Sequence, residues 1–370
     1  MAIQVDPGNV VGRDALIEQI WAKLQKPPGQ GSLRFTAERR IGKTTVMAKM
    51  AAEPKDGFDV LFLEVEGIES CHQFAALLLN RVKPLLSKTD KAKTWFDGFW
   101  GTLGGIEIGG VIKLPETNGL SWQATMEKTI EALTMLDTFR VLRQRHANLR
   151  MIFAGSVGLH HVLRDLRQMK LASEPVNNME LIEIHPLEAP DALQLAKRLL
   201  CDERVRAAEG AENLIAHRLA DLASNVPFYM ERIVGKLGLL ERDLTVEDVE
   251  ATVQQQLTSD HDPWEMEHFR ERLDVYYHDI VIDANGRPTP LAAIARCILD
   301  HFALADDPQS IEQVWAAVRS QMSLTDRQSV VRLLLSLGQD HYLICDSSKR
   351  YSFRFPMIKN WWKMAQGLGQ

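Results

Sequence analysis

The residues with the clearest chemistry lie between Arg34 and Met50, in the stretch RFTAERRIGKTTVMAKM. A turn ending in Gly42, Lys43 and Thr44 exposes successive backbone N–H groups, and a helix starting there adds the positive end of its dipole. Together they make a cradle for a polyphosphate. Lys43 is placed to reach the β and γ phosphates and the Thr44 hydroxyl to ligate magnesium, with Thr45 beside it as a nucleotide contact. The cradle runs through Ala37, Glu38, Arg39, Arg40, Ile41 and Gly42. Ala37 stands where the consensus has glycine. It costs little if the backbone there is ordinary, and on the order of 1 kcal/mol if the turn needs a glycine-only conformation. Arg39 and Arg40 carry charge suited to bound phosphate or to a partner surface.

Such a loop works only between a strand and a helix, and the flanking sequence supplies both. LRFTA reads as a short strand entering the loop, and a helix follows from Thr44 to about Ala52. Upstream, Asp14 to Leu24 has helical spacing and ends at the breaker PPGQGS. Downstream, FDVLFLEVEG is an apolar run between Gly57 and Gly67, as expected of a buried strand in a parallel sheet. CHQFAALLLNRVKPLL reads as a helix. WFDGFWGTLGGIEIGGVIKLPE reads as a glycine-punctuated β-hairpin, inserted at about 97–116. A helical stretch from Trp122 to His146 leads to a second buried strand, LRMIFAGS, ending at Gly155 and Ser156. MELIEIHPLEAPDALQLAKRLL then gives a strand and a helix. This alternation predicts an α/β fold with a parallel sheet of the P-loop NTPase kind over residues 1–188.

From 189 to 258 every periodic segment is helical, which predicts a small helical lid. Residues 259–286 form a charged connector, DHDPWEMEHFRERLDVYY, closing at the turn cluster NGRPTP. His261 and Asp262 there read as a helix-entry cap rather than a metal site. Residues 287–370 contain three amphipathic helices and a two-stranded ribbon, HYLICD-SSKR-YSFRFP, the outline of a winged helix.

At 370 residues the chain is long enough for two or three domains. Hydrophobic residues are 45% and charged residues 25%, enough apolar content for packed cores. The net charge of -6 gives no whole-chain attraction to nucleic acid, so any such contact must be local. No secretory leader is visible, and no apolar run approaches the roughly 20 residues a membrane span needs, so a cytoplasmic location is expected. Cys71, Cys201, Cys297 and Cys345 are widely spaced, with neither zinc-ligand nor paired redox spacing.

On these residues the chain resembles the STAND and AAA+ P-loop ATPases, near the archaeal-type and origin-recognition ATPases. The loop is similar to their A-P-R-R-x-G-K-T form, with Glu38 in place of proline. Val11-Gly12-Arg13-Asp14 looks like their N-terminal box, which implies that Gly12 and Arg13 pack on adenine. Ser156 resembles a sensor position. Asn225-Val226-Pro227-Phe228-Tyr229 resembles the lid turn whose proline, here Pro227, sits near the nucleotide. Trp361 and Trp362 close the winged helix. The resemblance implies binding of ATP or ADP with Mg2+, a nucleotide-controlled conformational switch, a protein effector, and the possibility of oligomerisation.

The pattern departs from the family in one respect. Hydrolysis needs an apolar strand ending in Asp-Glu, to hold magnesium and polarise water. No such strand is legible between Glu66 and Leu149. Asp137 in LTMLD is the nearest substitute, within helical spacing, and Glu64 and Glu66 read as ordinary strand-end carboxylates. Binding is therefore expected and hydrolysis is in doubt.

The alternative is a DNA-binding winged-helix protein whose degenerate P-loop only supports the fold. Residues 287–370 carry ten Lys/Arg against seven Asp/Glu, a mildly basic balance. Lys349 and Arg350 at the ribbon tip and Arg327 and Arg332 on the third helix are the residues placed to meet DNA phosphates. The competing reading is that these are solvated side chains on a helix whose VVRLLLSLG face is core.

Overall fold

The computed structural model describes residues 6–368 apart from 28–29, 66–72, 75–76, 79, 82–135, 138, 147, 156–159, 162, 165–175 and 260. The expected hairpin at 97–116, Cys71, Glu66, Ser156 and much of the stretch after Trp122 lie outside the described residues. The chain divides into two compact units. One comprises Met1–Thr36, Lys43–Gly155 and Leu159–Glu183, and the other Ala37–Gly42, Ser156–Gly158 and Ile184–Gln370.

In the first unit, helix α1 (Asp14–Leu24) turns Ile17, Ile20, Trp21 and Leu24 inward, the i, i+3, i+4, i+7 pattern of one helical face. Trp21 packs on Phe58, ring centroids 5.1 Å apart. The carbonyls at the end of α1 are satisfied by Arg150, whose Nε donates to Leu24 O at 3.0 Å and whose Nη2 donates to Lys26 O at 3.0 Å. Gly31 passes directly beneath that guanidinium.

Strand β1 (Ser32–Thr36) is the centre of a parallel sheet, flanked by β2 (Ile152–Ala154) and β3 (Met179–Glu183). Leu33 is in register with Ile152 on one side and Glu180 on the other. Leu33 and Phe35 are buried, as a strand paired on both edges requires. Helix α2 (Lys43–Ala52) follows the loop and buries Val46, Ala48 and Met50.

The run FDVLFLEVEG departs from expectation, because its described residues, 58–65, adopt no strand. Leu61 and Leu63 still pack against a cluster of Phe74, Leu78 and Leu142. The physical reason is pairing. A strand exists through hydrogen bonds to a neighbour, and no described strand lies beside this segment. The apolar pattern alone secures packing but not a ladder.

The second unit begins with helices α3 (Ala189–Asp202), α4 (Glu212–Leu222), α5 (Pro227–Leu237) and α6 (Val246–Leu257). Prolines open α3 and α5, where a missing N–H costs nothing. Thr245 and Asp248 form a capping box on α6. Ahead of α5, Ser224 and Asn225 both take left-handed φ, 52° and 57°, and Asn225 O accepts from Leu187 N at 3.0 Å.

Helix α7 (His268–Tyr276) is entered through Asp262, whose carboxylate accepts from Met266 N at 2.7 Å and Glu267 N at 2.9 Å. The turn cluster after it holds a ribbon that periodicity did not show: β4 (Ile280–Ile282) pairs antiparallel with β5 (Pro288–Pro290). Then come α8 (Leu291–Leu304), β6 (Gln309–Ser310), α9 (Ile311–Met322), α10 (Arg327–Gln339), β7 (Leu343–Cys345), β8 (Arg350–Phe353) and α11 (Pro356–Ala365). The strands form an antiparallel sheet in the order β6-β8-β7. Trp361 and Trp362 are both buried, and Trp362 Nε1 donates to Asp300 Oδ1 at 2.8 Å. Among the described residues no helix is long and apolar enough to cross a membrane.

Candidate phosphate-binding site

β1 ends at Thr36, the loop occupies residues 37–42, and α2 starts at Lys43. The loop therefore leaves the carboxyl end of a central parallel strand and runs straight into a helix N-terminus. That is where open α/β sheets bind ligands and where free amides meet the helix dipole. Gly42 has φ 102°, a conformation that side chains rarely adopt, so glycine is required there. Ala37 does not have positive φ, so the missing consensus glycine carries no backbone strain. Arg40 takes φ 72°, a left-handed conformation costing on the order of 1 kcal/mol that its surroundings must hold. Lys43 is 9% exposed at the start of α2, with Thr44 and Thr45 half-buried beside it.

The side chains of the loop show what holds it. Glu38 is buried, and its Oε1 accepts from Arg39 N at 2.7 Å and from Arg272 Nη1 at 3.4 Å, with His268 Nε2 at 4.0 Å. Burial pushes the Glu38 carboxyl pKa up. The Arg272 charge, the nearby His268 ring, the Arg39 amide and the His341 charge outweigh it and hold the group below its ordinary value. Arg39 Nη2 pairs with Glu265 Oε2 at 3.4 Å, and Arg40 pairs with the same carboxylate. The Arg40 guanidinium also lies 4.4 Å over the Phe228 ring, with Arg232 5.1 Å from that centroid. Arg39 and Arg40, whose charge suits bound phosphate or a partner surface, thus both rest on Glu265, and Arg40 rests on Phe228 as well.

Arg272 is the hub of this arrangement. Its Nε donates to Tyr342 Oη at 3.3 Å and its Nη2 to Asp340 O at 3.1 Å. Tyr342 in turn donates to Phe269 O at 2.5 Å, and Tyr277 donates to Asp340 Oδ2 at 2.6 Å. Burial alone would lower the Arg272 pKa, but Tyr342, Glu38 and Asp340 raise it above the ordinary arginine value. Sequence reasoning missed Glu265, His268 and Arg272 as functional residues. Their spacing of three and four places them along one side of α7 and its lead-in, but nothing local separates that side from a solvated one.

Other expected site residues fall as follows. Gly12 has φ 67°, and Arg13, 6% exposed, directly precedes α1. Asp14 joins α1 to α2 through Lys49 at 2.7 Å, which sets this box beside the helix that follows the loop. Pro227 opens α5, and its neighbour Phe228 is the ring under Arg40. Asp137 lies on a helical turn, 3.4 Å from Arg140. Glu64 is half-buried in the unpaired segment. In the C-terminal region Arg327 pairs with Glu312 at 2.5 Å and Arg332 with Asp326 at 3.5 Å. Lys349 and Arg350 are exposed on a turn shaped by Asp346, whose Oδ1 accepts from Ser348 N at 2.8 Å and Arg350 N at 2.9 Å.

No protein-family model matches the sequence, and no curated protein matches it significantly. The structure is similar to a Walker-type ATPase of Pyrococcus abyssi at 12% identity and TM-score 0.58, covering 98% of this chain and 99% of that chain. It also aligns with the RuvB Holliday junction branch migration motor of Thermotoga maritima, at 13% identity and TM-score 0.38 over 92% of each chain. Domain III of the replication initiation protein DnaA from Thermotoga maritima aligns at 10% identity and TM-score 0.34, over 67% of this chain and 95% of that chain. The last two likenesses are too distant to argue from. The first speaks for the fold alone, an α/β architecture with a central parallel sheet.

Proposed function

We propose that this chain is a nucleotide-binding switch of the P-loop ATPase type, taking ATP or ADP with Mg2+. The observation that carries the reading is the loop itself: a central parallel strand, a turn requiring glycine at Gly42, and Lys43 opening the following helix. The amides of residues 38–44 would hold the phosphates, the Lys43 ammonium would neutralise them, and Thr44 would ligate the metal, which supplies further charge neutralisation when bound. Gly12, Arg13, Ser156 and Pro227 belong to the same proposal as contacts to the rest of the nucleotide.

Binding rather than turnover is the core of the reading. Among the described residues no strand ends in paired acids, and Asp137 lies on a helix beside Arg140. The helices at 189–258 act as a lid. The order α8, β6, α9, α10, β7, β8 supports a winged helix at 287–370. Nucleotide state then governs how these parts present a surface to a protein effector.

Contact with DNA is the second reading, and the exposed tip carrying Lys349 and Arg350 favours it. ATP affinity and phosphate release measured on one sample test the main reading. Micromolar binding with slow or no release supports it, and no binding sinks it.

A further inference from the structure

We propose that Arg272 is a positioning residue for the phosphate loop, acting through Glu38, so that the geometry of the loop depends on the turn at residues 340–342. The proposal rests on the reading of residues 37–44 as a nucleotide cradle. Three consecutive loop residues, Glu38, Arg39 and Arg40, are held by Glu265, His268 and Arg272. At spacings of three and four these share one side of the α7 segment.

Glu38 stands where the resembling loops have proline. Proline fixes φ covalently, whereas glutamate leaves the backbone free, so the loop needs another restraint. The buried carboxylate provides one by accepting from the Arg39 amide and from Arg272. The same carboxylate is a negative charge inside a loop suited to anions. Arg272 cancels it at 3.4 Å. Removing Arg272 therefore frees the loop and unmasks that charge, and both effects weaken anion binding. Removing the charge of Glu38 frees the loop but also removes a repulsion, so its effect is smaller.

The other two guanidinium nitrogens of Arg272 donate to Tyr342 Oη and Asp340 O, around His341 with φ 65°. A shift of that turn moves Arg272 and, through it, Glu38. By linkage, nucleotide on the loop must then stabilise the arrangement at 340–342 to the same extent.

The test is a set of full-length variants, Arg272→Met, Arg272→Lys, Glu38→Gln and the double variant Glu38→Gln/Arg272→Met. Each is titrated with MgATP, and amide exchange over residues 37–42 is followed without nucleotide. Arg272→Met is expected to weaken MgATP binding at least tenfold, Arg272→Lys to recover part of it, and the double variant to bind better than Arg272→Met alone. Loop amides should exchange faster in Arg272→Met while those of β1 and α4 keep their native rates. Should Arg272→Met not fold, Arg272→Lys and Glu38→Gln carry the same comparison. A folded Arg272→Met chain with native loop exchange, or with affinity within twofold of the native chain, overturns the proposal. A native chain that binds no MgATP, with loop exchange still dependent on Arg272, would instead defeat the nucleotide reading and leave the positioning intact.

Discussion

Glu38 Oε1 lies 3.4 Å from Nη1 of Arg272, 234 residues further along the chain, and both side chains are buried. A buried pair of this kind adds little net stability while intact, but removing one partner strands the other charge. Glu38→Gln should therefore cost roughly 3 kcal/mol at neutral pH, read as a lowered urea midpoint at constant m-value. A cost below the error of the measurement would show the pair to be solvated.

The same pair sets an acid limit. The folded pKa of Glu38 lies below its ordinary 4.5, so its contribution is present above that pH and lost as pH falls through the depressed folded value. The native chain should lose stability below about pH 4.5, and the gap between it and Glu38→Gln should close over the same interval. Urea titrations across that window check the sign. A gap that widened on acidification would contradict it.

At Gly31 an added Cβ would lie 2.3 Å from Arg150 Nε and 2.9 Å from Leu24 O. Arg150 can swing away only by giving up the carbonyls that end α1, and the backbone oxygen cannot move as freely. Gly31→Ala should cost about 2 kcal/mol by overpacking, measured by thermal unfolding. Gly210→Ala is a control for a left-handed glycine, φ 76°, with no neighbour within 4 Å of its Cβ.

Among the described cysteines, Cys201 and Cys345 are exposed, whereas Cys297 is buried with its thiol pushed up to about 11 by burial and by Asp300. A thiol reagent at pH 8 should label Cys201 and Cys345 within minutes and spare Cys297 until the chain unfolds. Peptide mass spectrometry reads this directly, and early labelling of Cys297 would contradict the packing of α8.

If duplex DNA binds this chain, the contact should run through Lys349 and Arg350, because Arg327 and Arg332 already pair with Glu312 and Asp326. Replacing both tip residues with alanine should reduce the slope of log affinity against log salt by about 2, and Arg327→Ala or Arg332→Ala should change it little. Equal effects from all four would place the contact along α10 instead.

The strand-loop-helix around Lys43 was legible because its chemistry is local: a short apolar strand, glycine where φ must be positive, and a helix at once. The C-terminal helices were equally legible, since Leu291–Leu304 and Arg327–Gln339 each keep one apolar face. The strand expected at FDVLFLEVEG was misread because burial patterning reports packing, while a strand depends on a partner elsewhere in the chain. β6, only Gln309–Ser310, and the proline-bearing β5 are too short for any period to register. Arg272 was invisible for another reason. In ERLDVYY it looks like one more solvated charge, and only the odd glutamate at position 38 hinted that a distant cation was needed.

The central claim is that the loop from Glu38 to Thr44 grips polyphosphate with its amides and the Lys43 ammonium. Titration calorimetry of MgATP into the intact chain and into Lys43→Ala tests it most directly. Saturable heat with the native chain and a loss of affinity of at least a hundredfold in the variant is the expected result. No heat with the native chain, or equal affinity in both, would contradict the account.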